Sequence, residues 1–307
     1  INLNNNLMDV QENKDVEDLK LLNENGDYSA MTDFITRKSH KERMKLRQIY
    51  KQKYGEDLMS DFKSNFAGVY LKIILALFTD PVEYDIDTIY KTIKEGVSYN
   101  ALIEIFASRP DWYLNKIKNL YLKKYNIELE NHLKEDNLDD FKKLLLQILQ
   151  CKRSTNQAPD LDFCKKLSDD LEQEESEALT ANSAIINSIF IQSSPQELIM
   201  ISKEYNKSTQ KLITETIDQN FKGSVKILLN AILMAKISPS EYYANLLHES
   251  IDDENTISRI IITRAEIDLN QIKKYYKKLF ENDLIDDISS KDSHEYTKLL
   301  VAICNKH

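Results

Sequence analysis

The sequence predicts an all-α fold made of four repeats of about 70 residues, and three observations carry that reading. Only 5 glycines and 5 prolines occur in 307 residues, which fits helices joined by short turns. Apolar residues recur at helical spacing, as at Leu71, Ile74, Leu75 and Phe78 and again at Leu144, Leu145 and Ile148. Such a stripe belongs to a helix with one face in a core. A tyrosine also recurs within long amphipathic segments, at Tyr50, Tyr121, Tyr205 and Tyr276, with separations of 71, 84 and 71 residues. The longer middle interval places extra chain between the second and third units.

In chain order, residues 1–15 are rich in Asn and acidic side chains and read as a flexible N-terminal tail. Repeat 1 spans 16–80. It opens on Val16, Leu19 and Leu22, spaced for one helical face, and turns at Asn25-Gly26. Met31, Phe34 and Ile35 follow, then a long helix around Ile49 and Tyr50, a break at Gly55, and an apolar helix over 67–78. Pro81 stops that helix and begins repeat 2, which spans 81–153. Its helix from Tyr90 ends at Gly96, a residue that takes left-handed angles without a Cβ penalty. After it come the segment 101–109, the amphipathic run through Tyr121, and the helix 141–149.

The extra chain includes the polar, Pro-bearing stretch CKRSTNQAPD, and the linker is placed at 154–161. Repeat 3, 162–237, is the most divergent, with Gln192-Ser193 where the others carry Thr36-Arg37, Ser108-Arg109 and Thr263-Arg264. Repeat 4, 238–307, follows Pro239 and closes on the apolar run YTKLLVAIC. Acidic runs such as Asp169 to Glu177 read as solvated faces.

The formal charge of −9 argues against non-specific nucleic-acid binding or attraction to a bare anionic membrane. No apolar run is long enough to span a bilayer, and the polar start shows no signal-peptide pattern. The chain opens without a methionine, which leaves room for a longer native N-terminus. Cys151, Cys164 and Cys304 lack metal-ligand spacing and are odd in number, which reads as a reduced intracellular protein. No nucleophile elbow, P-loop, dinucleotide fingerprint or zinc motif is present, so the chain is not expected to be an enzyme.

The glycine-ended helix at Gly96, the carboxylate Asp136 40 residues later, the Ser/Thr-Arg pairs and the segment TRAEIDLNQIKKYYKKLF together resemble the annexin family. The degraded sites described next make it similar to the divergent protist annexins called alpha-giardins. The resemblance covers the chain from about Val16 onward. It implies four repeats, each a right-handed bundle of five helices, arranged in a slightly curved disc. It also implies two ion pairs, Asp85 with Arg109 and Glu104 with Arg259 across a central polar channel, read as fixing geometry rather than conducting ions. Trp112 is expected as a half-buried anchor at a helix start, away from the membrane-side loops.

The annexin membrane site joins a Gly-x-Gly-Thr loop to an acidic residue 39 positions after the Thr, an all-oxygen donor set suited to Ca²⁺. Repeat 2 matches best. Lys94-Glu95-Gly96-Val97 stands in the loop, and Asp136 lies 39 after Val97. The resemblance thus implies ligands from the carbonyls of Thr92, Lys94 and Gly96 and from the Asp136 carboxylate. Elsewhere the acidic position holds Asn65, Asn220 or Lys291, the last beside Asp292. The repeat 4 loop lacks glycine but carries Asp252, Asp253 and Glu254, and repeat 1 has Glu24 and Asp27 in its loop.

One carboxylate on one loop implies weak affinity, on the order of 10⁻⁴ to 10⁻³ M, and the loss of avidity that comes with lost sites. The resemblance therefore implies a cytoplasmic, peripheral scaffold that binds anionic phospholipid membranes with Ca²⁺ and self-associates there. The alternative is a calcium-independent annexin-fold scaffold for cytoskeletal or other protein partners.

Overall fold

The computed structural model describes residues 3–96, 98–135, 137–291 and 294–306, with side chains from residue 10 onward. Among them lie twenty α-helices, one π-helical turn and no strand, and the helices fall five to a repeat. Repeat 1 holds α1 (Leu3–Asn25), α2 (Tyr28–Thr36), α3 (His40–Tyr54), α4 (Leu58–Asn65) and α5 (Gly68–Leu77). Repeat 2 holds α6 (Pro81–Glu95), α7 (Asn100–Ser108), α8 (Asp111–Tyr125), α9 (Leu129–Lys134) and α10 (Asp140–Ile148). In repeat 3, α11 (Leu161–Glu177) leads to α12 (Ala184–Ile186), which runs into the π-helical turn Asn187–Gln192. Next are α13 (Pro195–Thr209), α14 (Ile213–Asn220) and α15 (Gly223–Ile237). Repeat 4 holds α16 (Pro239–Glu249), α17 (Glu254–Arg264), α18 (Leu269–Phe280), α19 (Leu284–Lys291) and α20 (Glu295–Lys306).

These helices form two compact units, one of residues 1–81 with 243–307 and one of residues 82–242. In the first, α2 packs on α20 and α5 on α17 and α20. In the second, α7 packs on α15 and α10 on both α15 and the π-helical turn. Each unit thus sets the second helix of one repeat against the fifth helix of the other. The expected stripes supply the buried faces: Ile74 and Phe78 in the first unit, Leu144, Leu145 and Ile148 in the second.

The repeat is visible in single residues. Tyr50, Tyr121, Tyr205 and Tyr276 are all 0% exposed, each contributing roughly 2 kcal/mol through ring burial. Each donates to or shares a hydrogen bond with the side chain eleven residues on: Asp61 at 2.5 Å, His132 at 2.5 Å, Thr216 at 2.8 Å and Asp287 at 2.6 Å. Burial pushes all four hydroxyls above their ordinary range, Tyr205 to about 12. Five residues after each tyrosine the helix ends in a left-handed residue, namely Gly55, Asn126, Gln210 and Glu281.

Two expectations are corrected. The residues read as a flexible tail are helical from Leu3, because the segment holds neither Gly nor Pro and Asp15 is drawn in by Lys38 of the α2–α3 turn. Trp112 is not half-buried but 67% exposed, its ring edge-on to Tyr113 at 5.5 Å, since α8 turns its buried face through Leu114, Ile117 and Tyr121 instead. The linker makes specific contacts of its own. Arg153 donates to the Arg109 carbonyl at 3.1 Å and pairs with Asp111 at 3.3 Å, and the Ser154 N–H reaches the Gln192 carbonyl at 2.6 Å.

Repeat 3 departs where its sequence does. Thr36, Ser108 and Thr263 each bond back to the carbonyl four residues earlier, whereas Ser193 bonds back five, to Ser188 at 2.8 Å. The buried Lys236 ammonium fills the end of this widened turn, donating to the carbonyls of Phe190 at 2.7 Å and Ser193 at 2.8 Å. Burial, then the nearby Arg153 charge, lowers its pKa to about 7.

Candidate functional site

The loop of repeat 2 begins where α6 runs out of helix-forming residues. Gly96 takes φ +62°, and its N–H closes the helix on the Thr92 carbonyl at 3.0 Å. That carbonyl keeps a second lone pair for another donor or a cation. The Thr92 hydroxyl is turned back to the Thr88 carbonyl at 2.8 Å, so its side chain does not face the loop. Gly96 is exposed, with nothing within 4 Å of the position a Cβ would occupy. Its value to the loop is therefore its backbone conformation rather than tight space. The exposed Lys94 holds its ammonium 5.8 Å from the Tyr90 ring centroid. Val97 and Asp136, the remaining loop position and the expected carboxylate ligand, lie outside the described residues. Oxygen donors from a helix-ending loop fit a hard cation such as Ca²⁺ in kind, although no group of three or more His, Cys, Asp or Glu among the described residues converges on a metal position.

The helix that ends at this loop, α6, also contributes Tyr90 to an aromatic cluster absent from the sequence reading. Tyr90 of α6 stacks on Tyr125 of α8 at 3.9 Å, and Tyr125 donates to Asp87 at 2.6 Å. His132 of α9 closes the cluster against Tyr90 and Tyr121. The interval of eleven residues after each repeating tyrosine was the available signal.

The other three repeats put the residues at their acidic positions to other uses. Asn65 donates to the Asp61 carbonyl at 3.3 Å and Asn220 to the Thr216 carbonyl at 2.9 Å, each within its own helix. Lys291 reaches Asp252 at 2.7 Å, an ammonium seated on the repeat 4 loop. Asp253 caps α17 through the N–H groups of Asn255 and Thr256, and Asp27 caps α2 through that of Ala30. Capping explains these loop carboxylates without a metal. Asp292 lies outside the described residues.

Arg109 is held in a buried cluster. It meets Asp85 twice, Nε to Oδ2 at 2.9 Å and Nη2 to Oδ1 at 3.3 Å, and gives Nη1 to Glu104 Oε1 at 2.9 Å. Burial pushes the Asp85 carboxyl above its ordinary range, opposed by the Arg109 charge. Glu104 on α7 is thus a partner of Arg109, which the sequence reading paired with Asp85 alone. Arg259 is buried on α17 of the other unit, and its pairing with Glu104 stays an expectation.

The sequence profile of the annexin family matches residues 21–77, 84–148 and 242–303. The chain belongs to the annexin family. The three matches leave the whole of repeat 3 outside, in keeping with its π-helical turn and missing Ser/Thr-Arg pair. This annexin is 29% identical to mouse annexin A13 over 282 residues, covering 90% of this chain and 89% of that protein. It is 28% identical to human annexin A7 over 90% of this chain, but spans only 58% of annexin A7. Among solved structures, annexin III superposes with a TM-score of 0.88 at 26% identity, covering 94% of this chain and 93% of its own. The calcium-bound structure of alpha-14 giardin does so with 0.82 at 13% identity over 95% of this chain and 99% of its own, a likeness of fold alone.

Proposed function

We propose that this annexin is a peripheral, calcium-dependent binder of anionic phospholipid, with repeat 2 as its working site. Annexins generally bind such lipids with calcium, and solved relatives include a calcium-bound annexin. The observation that carries the reading is the exposed left-handed turn at Gly96, the backbone state a carbonyl-lined cation loop requires. The ligands are the carbonyls of Thr92, Lys94 and Gly96 with the Asp136 carboxylate. A chain of formal charge −9 needs the divalent ion to meet an anionic surface. Among the described residues no helix is long and apolar enough to cross a membrane, in keeping with attachment from the surface. With one site of this kind the affinity is weak, on the order of 10⁻⁴ to 10⁻³ M before lipid is added, and self-association on the bilayer restores avidity.

A second reading is a calcium-independent scaffold for cytoskeletal or other protein partners. The contact favouring it is Lys291 on Asp252, by which the repeat 4 loop carries its own cation.

Co-sedimentation with phosphatidylserine vesicles across a calcium series separates the two. Pelleting that needs calcium and is lost in Asp136→Ala supports repeat 2 as the site. Calcium-dependent pelleting that survives the substitution moves the site to another loop. Absence of pelleting at millimolar calcium removes the membrane reading and leaves the protein scaffold.

A further inference from the structure

The single tryptophan of the chain stands in solvent, on the side of α8 opposite its buried stripe of Leu114, Ile117 and Tyr121. Lys116, Asn119 and Lys123 follow Trp112 at helical spacing and are all exposed, so they share its face. Among the described residues neither Lys116 nor Lys123 has an anionic partner, whereas Lys118 pairs with Glu130 at 2.6 Å and Lys124 with Asp87 at 2.5 Å. The start of this helix is fixed. Asp111 accepts the Arg153 N–H at 2.8 Å and pairs with its guanidinium at 3.3 Å, and Tyr113 braces the indole edge-on. A large aromatic held outward in this way loses little freedom when a partner covers it.

A complementary stripe lies on α11. Phe163 is 49% exposed, and Asp170 and Glu177 follow it at intervals of seven residues, two helical turns each. Asp170 is half-buried and has no partner among the described residues, and Glu177 takes only the Gln173 amide at 3.2 Å. From residue 167 to the end of α11 there are six carboxylates and no basic side chain.

The two stripes match in register when the helices run parallel. Lys116 and Lys123 are seven residues apart, as are Asp170 and Glu177, an interval of about 10 Å along either helix. With these pairs aligned, Lys166 falls level with Trp112, placing an ammonium for the indole face. Phe163 falls three residues beyond, about 5 Å, within the range at which aromatic rings meet. The antiparallel alignment pairs the same charges but carries Phe163 past the end of α8, so the aromatic residues select the parallel one. Two lysines do not draw a chain of formal charge −9 to a bare anionic bilayer. The acidic, aromatic counterpart that fits them is carried by the chain itself.

We propose that α8 is a docking face for a second copy of this chain, its Trp112, Lys116 and Lys123 receiving Phe163, Asp170 and Glu177 of the other copy's α11. This names the surface for the self-association invoked above, and it needs neither calcium nor lipid.

The test is sedimentation equilibrium of the full chain in the presence of chelator, from about 1 to 200 µM protein and at about 0.05 and 0.5 M salt. Wild type is compared with Trp112→Ala, with Lys116→Glu/Lys123→Glu, with Asp170→Lys/Glu177→Lys, and with the two reversals combined. None of these side chains is buried, and circular dichroism checks that each variant folds. The expected result is a wild-type mass above that of one chain at low salt, falling at high salt. Association should weaken at least about tenfold in Trp112→Ala and in each single reversal, and return to within about threefold of wild type when both are combined. The acid-to-lysine reversal lowers the net charge and the combined variant restores it, so overall repulsion explains neither result. Wild type that stays a single chain throughout, association untouched by the α8 substitutions, or a combined variant without recovery overturns the proposal. So does pelleting with phosphatidylserine vesicles in chelator that depends on Trp112 and the two lysines while the chain alone stays single, which reassigns the face to lipid. Each of these outcomes leaves the calcium site of repeat 2 to its own test.

Discussion

The Tyr276 hydroxyl donates to Asp287 Oδ2 at 2.6 Å, and Tyr50 makes the same bond to Asp61 in the repeat at the other end of the chain. Tyr276→Phe keeps the buried ring and removes this bond and the hydroxyl's contact with His248 Nδ1 at 3.2 Å, leaving Asp287 with the more distant Asn282 amide as donor at 3.3 Å. Stability to urea is expected to fall by about 1–2 kcal/mol. Native pKa values raised above the unfolded value give stability that is complete below about pH 10 and lost as pH rises through the native values. Wild type should therefore lose stability steeply above about pH 10, and Tyr276→Phe less so.

Glu281 holds a left-handed conformation at φ 61°, at the helix end where repeat 1 uses Gly55. Glu281→Gly relieves the Cβ strain of that conformation and should raise stability by roughly 1 kcal/mol. Gln210→Gly is expected to match it. Unchanged or lower unfolding midpoints for both variants would count against strain at these caps.

The tyrosine interval, the helical stripes and the glycine-ended helices were legible because local chemistry decides them. Side chains three or four apart share a helix face, and Gly55 and Gly96 announce turns. Gln210 and Glu281 end equivalent helices without such an announcement, because tertiary packing imposes the left-handed turn there. Trp112 was misread for the same reason: a large aromatic near a helix start says nothing about which way α8 faces. Asp85 with Arg109 came from the resemblance, whereas the Glu104 contact arises because the Arg109 side chain, at the α7 C-cap, reaches back along its own helix. Gln192-Ser193 marked the site of the π-helical turn as divergent, but the lysine that fills it comes from α15, more than 40 residues on, and left no local pattern.

Lys236 gives a pH signature of that turn. Its native pKa of about 7 lies below the unfolded lysine value, so the unfolded chain binds more protons between them. The stability it confers is therefore present at high pH and lost as pH falls through about 7. Between pH 7 and 9 the unfolding free energy of wild type should rise relative to Lys236→Met by about 1 kcal/mol per pH unit. Parallel curves for the two proteins would place the amine in ordinary solvent.

Asp85→Ala leaves Arg109 with fewer acceptors in a buried site. Removing one member of such a cluster is expected to destabilise by about 3 kcal/mol, measured by chemical denaturation. A loss below about 1 kcal/mol would show that water enters and satisfies the guanidinium.

Lys291→Glu exchanges the built-in cation of repeat 4 for a carboxylate facing Asp252. If calcium is the ion these loops accept, the variant should bind additional calcium and pellet with anionic vesicles at several-fold lower calcium than wild type. The exposed Lys291–Asp252 pair contributes at most about 1 kcal/mol, so the fold should survive its loss. Identical calcium curves would show that the loop backbone, not Lys291, excludes the ion.

The two units differ in how the chain delivers them. Residues 82–242 arrive in one stretch, whereas α2 and α5 depend on α17 and α20 for their packing partners. During synthesis, then, the second and third repeats have everything needed to fold while the first still lacks its apolar cover. The opening repeat must wait through the translation of the entire middle of the protein, with Ile73, Ile74 and Leu77 of α5 among the side chains that stay unsheltered until the last helices emerge. Aggregation and chaperone capture should therefore begin at the first repeat, and truncations that remove the C-terminus should be felt most by residues near the start.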